Sequence, residues 1–388
     1  MTPEKLSFHL INYIERRSSE KNYVFKLALV LMCLSWMFAT PIVLLFFLKD
    51  QMPFAWEVVM QKSQNLTSNL EQLAPGLWLS KKVFRLTIPV LINLMYLNPT
   101  IVILFQIAAG YLTSVFSYKL SFRLLKDPVQ ATFLTAGLAF LYFGRAAYFE
   151  YDYCWFDAFS YIFILLAMQN TNAVLVFLFS FMASWNDERG FIALFVVLLF
   201  HQFENLNDSK IYICDVFKIN KRVAAVLGAA VLYVAIRLFL SMQFDMHTPL
   251  NGANFHVFNR TYYYFLIGNL TFFEGFWLLL MFALILLFYR KDYLRLILLT
   301  SSFLIIMVVS FCVSDITRSG AFAVPLVFIA VDYLKQSQSV LTMRKLLFLC
   351  LLVSFFIPPV FVCADWTAKQ WVNTQTLVFL IKQIFDIL

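Results

Sequence analysis

The stretch NAVLVFLFSFMASWNDERGFIALFVVLLF, Asn172 to Phe200, decides how the rest of the chain is read. Two apolar runs flank three adjacent charges, Asp187, Glu188 and Arg189. A bilayer core takes about 20 apolar residues of helix, and charged side chains inside it are expensive. The charges therefore mark a turn at a membrane surface, and the runs on either side are spans. The same alternation recurs through all 388 residues, of which 62% are hydrophobic and only 13% charged. Soluble domains carry about 25% charged residues. The chain reads as an all-α, polytopic transmembrane bundle.

The apolar runs predict about eleven spans, near 24–48, 99–118, 128–144, 157–170, 173–185, 190–203, 223–241, 266–289, 294–313, 319–335 and 346–363. No polar stretch exceeds the one from Lys49 to Lys82, so residues 1–388 form a single integral-membrane domain. Residues 1–23 are too polar for a cleaved signal peptide. They are read as a cytoplasmic segment, 49–98 as the first outer loop, and 364–388 as an outer tail with a short interfacial helix. Within the first loop, KKVFRLTIPVLINLMYL (residues 81–97) reads as a helix lying in the interface, because Lys81, Lys82 and Arg85 crowd its start. Asn98-Pro99 then breaks the chain before the next span.

Lysine and arginine set the orientation. With the N-terminus in the cytoplasm, the inner loops hold eighteen of the 30 basic residues, including Lys119, Arg123, Lys126, Lys221, Arg222, Arg290, Lys291 and Arg344. This is the positive-inside sense. It absorbs the formal net charge of +8, so nucleic acid is not needed as a partner. The expected location is a multi-pass place in a membrane, read as a bacterial inner membrane. There is no CxxC, and His9, His201, His247 and His256 are scattered. No metal site and no cofactor are expected; Cys154 and Cys363 are read as separate thiols, with a disulfide between them as the alternative.

On this topology three mixed clusters share the outer face. GRAAYFEYDYCWFDAF holds Arg145, Glu150, Asp152 and Asp157; WNDERG holds Asp187, Glu188 and Arg189; VSDITRSGAF holds Asp315 and Arg318. Asp50 follows the first span directly. Helix ends alone favour polar caps, but three acid–arginine clusters on one face point to a working site. Carboxylates suit general-base activation of a hydroxyl, and the planar fork of arginine suits phosphate.

With that pattern, the chain resembles the GT-C superfamily of integral-membrane glycosyltransferases. The likeness is carried by FFLKD ending at Asp50, KKVFRLTIPVL with Arg85, the FEYD turn, NDERG and DITRS. It implies transfer of a sugar from a polyprenyl-phosphate carrier to a glycan or lipid acceptor at the outer face. On that resemblance, Asp50, Asp152, Asp187 and Glu188 are the catalytic candidates, with Asp50 the first choice of base and Asp152 the second. Arg85, Arg189, Arg318 and Arg145 are the phosphate contacts, and Glu150 and Asp315 complete the site. Family members often carry an acidic pair in the first outer loop, where this chain has Asp50 alone with Glu57 seven residues on. Three alternatives stay open: a lipid-linked polysaccharide polymerase or ligase; a transporter or flippase, for which midplane charges and broken helices would be the mark and neither is seen in the sequence; and a membrane O-acyltransferase, whose intramembrane histidine could only be His201, at the inner end of its span.

Overall fold

A computed structural model describes residues 3–38, 41–48, 52–70, 79, 82–149, 152–206, 218–248, 265–312, 315–357, 360–363 and 366–370. Asp50, Glu150 and the C-terminal segment expected to form an interfacial helix lie outside the described residues.

The described chain is almost all helix. In order it forms α1 (Pro3–Ser18), α2 (Tyr23–Phe38), a 3-10 stretch (Ile42–Leu48), α3 (Phe54–Gln64), α4 (Thr87–Met95), α5 (Pro99–Leu125), α6 (Pro128–Phe140) and α7 (Tyr142–Phe149). It continues with α8 (Asp157–Gln169), α9 (Ala173–Asn186), α10 (Glu188–Leu206), α11 (Lys221–Phe244), α12 (Phe265–Phe273) and α13 (Phe276–Tyr289). Last come α14 (Tyr293–Phe311), α15 (Ile316–Gly320), α16 (Leu326–Lys335), α17 (Val340–Phe356) and an antiparallel hairpin of β1 (Val360–Cys363) and β2 (Trp366–Gln370).

Four described helices are long and apolar enough to cross a membrane: Pro99–Leu125, Lys221–Phe244, Tyr293–Phe311 and Ile316–Lys335. A fifth span results if the bent pair Ile267–Phe273 and Phe276–Tyr289 is taken as one. Shorter apolar helices cover Tyr23–Phe38, Pro128–Phe140, Asp157–Gln169 and Ala173–Asn186. The molecule is a helical bundle compatible with a multi-pass membrane protein.

Local sequence explains the boundaries. Asn98 caps α5 by accepting from Ile101 N at 2.9 Å, and Pro99 fills the first helical position, where its missing N–H goes unused. Asp127-Pro128 repeats the device on α6, with Gln130 N donating to Asp127 Oδ1 at 2.7 Å. The run expected to lie in the interface is helical over Thr87–Met95, shorter than the quoted run.

Three expected spans are interrupted. The run 128–144 divides at Leu141, which is extended (ψ 163). The last span stops at Phe356, because Ile357 precedes Pro358 and takes an extended ψ of 123. The run 266–289 bends by 90° around Glu274 and Gly275. There Glu274 adopts φ 44, and a Cβ on Gly275 would lie 2.1 Å from Cys350 O. That bend corrects the expectation of unbroken helices.

Packing converges on the DER turn. Here α9 lies along α8 and α11, while α10 packs on α9, α11 and α8. The turn between α9 and α10 is tight: Gly190 N donates to Asp187 O at 2.8 Å, and a Cβ on Gly190 would meet Ala183 O at 2.2 Å. Backbone atoms cannot yield as a side-chain tip can, so Gly190→Ala should destabilise the protein by about 1–3 kcal/mol. Thermal unfolding in detergent measures it; an unchanged midpoint would show that the turn opens freely.

Candidate functional site

The sequence-separated charges meet at one end of the bundle. Arg318, on short α15, donates to Asp157 at the start of α8 through Nε (2.5 Å to Oδ2) and Nη2 (2.9 Å to Oδ1). It reaches Asp187 Oδ2 at 3.4 Å and Asp315 Oδ2 at 3.2 Å. Arg189 grips Asp187 with both arms, Nε to Oδ1 at 2.7 Å and Nη2 to Oδ2 at 2.6 Å, and reaches Asp157 at 3.4 Å. Its third nitrogen donates to Ser319 Oγ at 3.1 Å. Tyr142 OH donates to Asp157 Oδ2 at 3.0 Å. Aromatic faces complete the enclosure: Trp155 lies 4.5 Å from the Arg318 guanidinium carbon and Phe322 lies 5.3 Å from that of Arg189.

A burial gradient divides this network. Asp157 and Asp187 are 1% exposed, Arg318 3% and Arg189 6%. These four form a closed interior quartet. Around it lie more accessible side chains: Arg85, Glu188 and Asp315 are exposed by 21%, 26% and 24%. Arg85 joins the two zones by pairing with Asp187 Oδ2 at 2.9 Å and donating to Glu188 Oε2 at 3.0 Å. Glu188 Oε1 is buried and makes no hydrogen bond among the described residues.

Burial works against ionisation of Asp187, but Arg189 and then Arg85 outweigh it and hold the carboxyl well below the usual aspartate range. A carboxyl depressed on folding stabilises the native state at every pH above its unfolded value, about 3.9 for aspartate. That stabilisation drains as pH falls from about 4 toward the folded value. Unfolding midpoints in detergent should therefore be flat near neutrality and drop below about pH 4. In Asp187→Asn, the midpoint should already be low at neutral pH and its acid slope shallower than wild type.

Beside Arg85 a small cavity opens between α3, α4, the turn before α8 and the end of α9. Its walls are largely apolar, including Val58, Leu79, Ile88 and Phe156, but three cations line it: Lys62, Lys82 and Arg85. Lys62 donates to Ser68 O at 2.6 Å, and Lys82 to the carbonyls of Tyr153 and of Cys154, the latter at 3.2 Å. Burial of Lys62 pulls its pKa down to about 8. Asn186 also faces the cavity; its amide donates to Phe156 O and Ser160 Oγ, and its carbonyl oxygen is buried without a hydrogen bond.

The expected site residues are thus distributed as follows. Asp187, Glu188, Arg189, Arg85, Asp315 and Arg318 come together. Asp152 sits half-buried on the turn whose Cys154 and Phe156 line the cavity. Arg145 faces elsewhere, 3.8 Å from Glu274 at the bend between α12 and α13. Arg189 and Arg318, expected as phosphate contacts, have their guanidinium groups occupied by carboxylates of the chain. Sequence reading assigned no role to Lys62, Lys82, Asn186 or Ser319. Ser319 follows Arg318 directly, and that adjacency was the one usable signal.

Fold and cluster together define a helical, membrane-type protein with a buried ion network beside a cation-lined cavity. Comparison with family models, with curated proteins and with solved structures finds no match to the chain.

Proposed function

We propose that the protein is a membrane glycosyltransferase of GT-C type, with about eleven spans and a cytoplasmic N-terminus. It moves a sugar from a polyprenyl-phosphate carrier to a glycan or lipid acceptor at the outer face. One observation carries the reading: an apolar cavity lined by Lys62, Lys82 and Arg85 opens next to carboxylates on the same end of the bundle. A lipid phosphate is the ligand class that asks for cations and hydrocarbon walls together. The departing phosphate is stabilised by fixed cations as charge develops on it. Arg85, tethered by Asp187 and Glu188, presents its remaining surface there. The quartet of Asp157, Asp187, Arg189 and Arg318 holds that arginine in place. Asp152 is the described carboxylate set to take the acceptor proton, with Asp50 as the companion candidate.

The test uses farnesyl phosphate, farnesol and inorganic phosphate with the purified full chain. Farnesyl phosphate should bind at least tenfold more tightly than either of the others, and Lys62→Gln with Arg85→Gln should remove the preference. Lys62 is protonated below about pH 8, so binding should weaken as pH rises through that value. Equal affinity for farnesol would leave the cations without a task and end the proposal.

One observation favours the second reading, a transporter or flippase. The bend at Glu274, with Arg145 opposite, is a broken helix carrying buried charge, the arrangement found where transporters bind substrate. Glu274→Gln separates the two: it should abolish transport of a lipid-linked substrate in vesicles but leave sugar transfer in detergent intact.

A further inference from the structure

One more arginine stands at the charged end of the bundle, outside the network of carboxylates. Arg237 lies seven residues before the end of α11, about 10 Å along the helix axis. Its guanidinium carbon is 4.3 Å from the ring of Phe84, the chain neighbour of Arg85. Its terminal nitrogens donate to Tyr233 OH at 2.9 Å and to Thr248 Oγ1 at 3.1 Å. Tyr233 in turn packs on Trp185 and Phe191, either side of the DER turn, with ring centroids 5.2 and 5.0 Å away. Arg85, Arg145, Arg189 and Arg318 each pair with a carboxylate, whereas Arg237 meets only neutral acceptors among the described residues. The helix that carries it is the least covered of the four long apolar ones, with 22% of its apolar stretch buried. Leu227, Val231, Val234 and Leu238, spaced by four, three and four residues, form one exposed stripe on the face next to Arg237.

We infer that Arg237 receives the phosphate of the lipid carrier as it arrives from the bilayer, with the carrier's hydrocarbon lying along the α11 stripe. The inference rests on the proposed function and adds to it a named contact and a side of entry. A guanidinium presents five N–H donors, and the two terminal nitrogens here reach only hydroxyls. Its charge has no counterion in the described chain, on a helix where an unpaired charge is costly. A phosphate monoester supplies both the negative charge and oxygens that match the planar fork. Arg189 and Arg318 are already held inside the quartet and cannot serve an incoming anion in this way. The hydrocarbon decides against a free anion, because the stripe leads from Arg237 toward the middle of α11 and offers an apolar tail a continuous surface. Phe84 ties capture to chemistry: Arg237 stacks on its ring, and the next residue is Arg85 at the cavity.

The purified full chain in neutral detergent is titrated with farnesyl phosphate, farnesol and phosphatidylglycerol, as wild type, Arg237→Gln and Arg237→Lys. Arg237→Gln should weaken farnesyl phosphate about ten- to a hundredfold, the loss expected for a hydrogen bond between charged groups, and leave farnesol unchanged. Arg237→Lys should recover only part of the affinity, since it restores the charge without the fork. A farnesyl phosphate analogue with a diazirine on its chain should label wild-type α11 between Leu227 and Leu238, mapped by mass spectrometry, and excess farnesyl phosphate should suppress the label. That measurement decides the matter if Arg237→Gln fails to fold. Wild-type affinity in Arg237→Gln, in a protein that still prefers farnesyl phosphate to farnesol, would overturn this inference and leave the proposed function standing. Absence of that preference in the wild type would end both. Equal affinity for phosphatidylglycerol would show that any lipid phosphate satisfies Arg237 and overturn the carrier assignment. Suppressible labelling confined to other helices would overturn the side of entry.

Discussion

Asp157→Asn is expected to lower the unfolding free energy by about 3–5 kcal/mol, the range for breaking a buried ion pair. Asp157 is 1% exposed and receives Arg318 twice, Arg189 once and Tyr142 once. Without its charge, two buried guanidinium groups share Asp187 as their one interior carboxylate. The effect is a penalty for uncompensated charge, so it does not measure what the intact quartet adds over an apolar core. Asp315→Asn removes a carboxylate from the same Arg318 at a 24%-exposed position, and water can replace it; the expected loss is at most about 1 kcal/mol. Unfolding midpoints in one detergent compare the two. Equal losses would mean that burial does not grade this network, and that the separation of interior quartet from accessible rim is unfounded.

The second large effect is on chemistry. In a transfer assay with a polyprenyl-phosphate sugar, Asp152→Asn should reduce turnover about a hundred- to ten-thousand-fold, the usual loss with a general base, while expression and midpoint stay near wild type. Asp152 is half-buried on the turn before α8, and asparagine keeps its size there. Asp50→Asn is the parallel arm, because both carboxylates are candidate bases under the proposed function. If both variants transfer at full rate, the cavity and cluster serve some task other than sugar transfer. Arg189→Lys is a weaker discriminator than its sequence position suggests: a lysine cannot reproduce the two-armed grip on Asp187, so lost stability and lost activity would arrive together.

Much of the cluster was legible as residues but not as roles. Asp187, Glu188, Arg189, Asp315 and Arg318 stand out because charges are rare in so apolar a chain, and sharing one loop face made their convergence expectable. Their burial was not expectable. Neighbours in sequence part company in space: Arg189 turns inward to 6% exposure while the Glu188 side chain keeps 26%. Helical geometry sends successive side chains about 100° apart, and only the packing of α8, α9 and α15 shows which direction is inside.

The cation-lined cavity was not legible at all. Lys62 and Lys82 read as ordinary loop lysines; folding α3 and the 82–86 segment back onto the turn before α8 buries them at 2% and 9% exposure. Nor was the 90° bend visible, because apolar residues flank Glu274-Gly275 on both sides, from Phe272 and Phe273 to Phe276 and Trp277. Hydrophobicity fixes a helix's affinity for lipid and core but says nothing of its direction after a single Glu-Gly step.

The sequence by itself determined that this chain is helical and apolar enough for a bilayer, where most helices begin, and which charges cannot be casual. Those properties are local: they follow from transfer free energies, from proline's missing donor and from Asn or Asp side chains capping the next turn. Tertiary structure alone decided which carboxylate faces which arginine, which of them reach the cavity, and where an apolar run stops being one helix. These depend on contacts between residues more than a hundred positions apart, such as Arg318 with Asp157 and Arg85 with Glu188. No local free energy encodes such pairings; they appear only when the packed helices bring these charges within reach of one another.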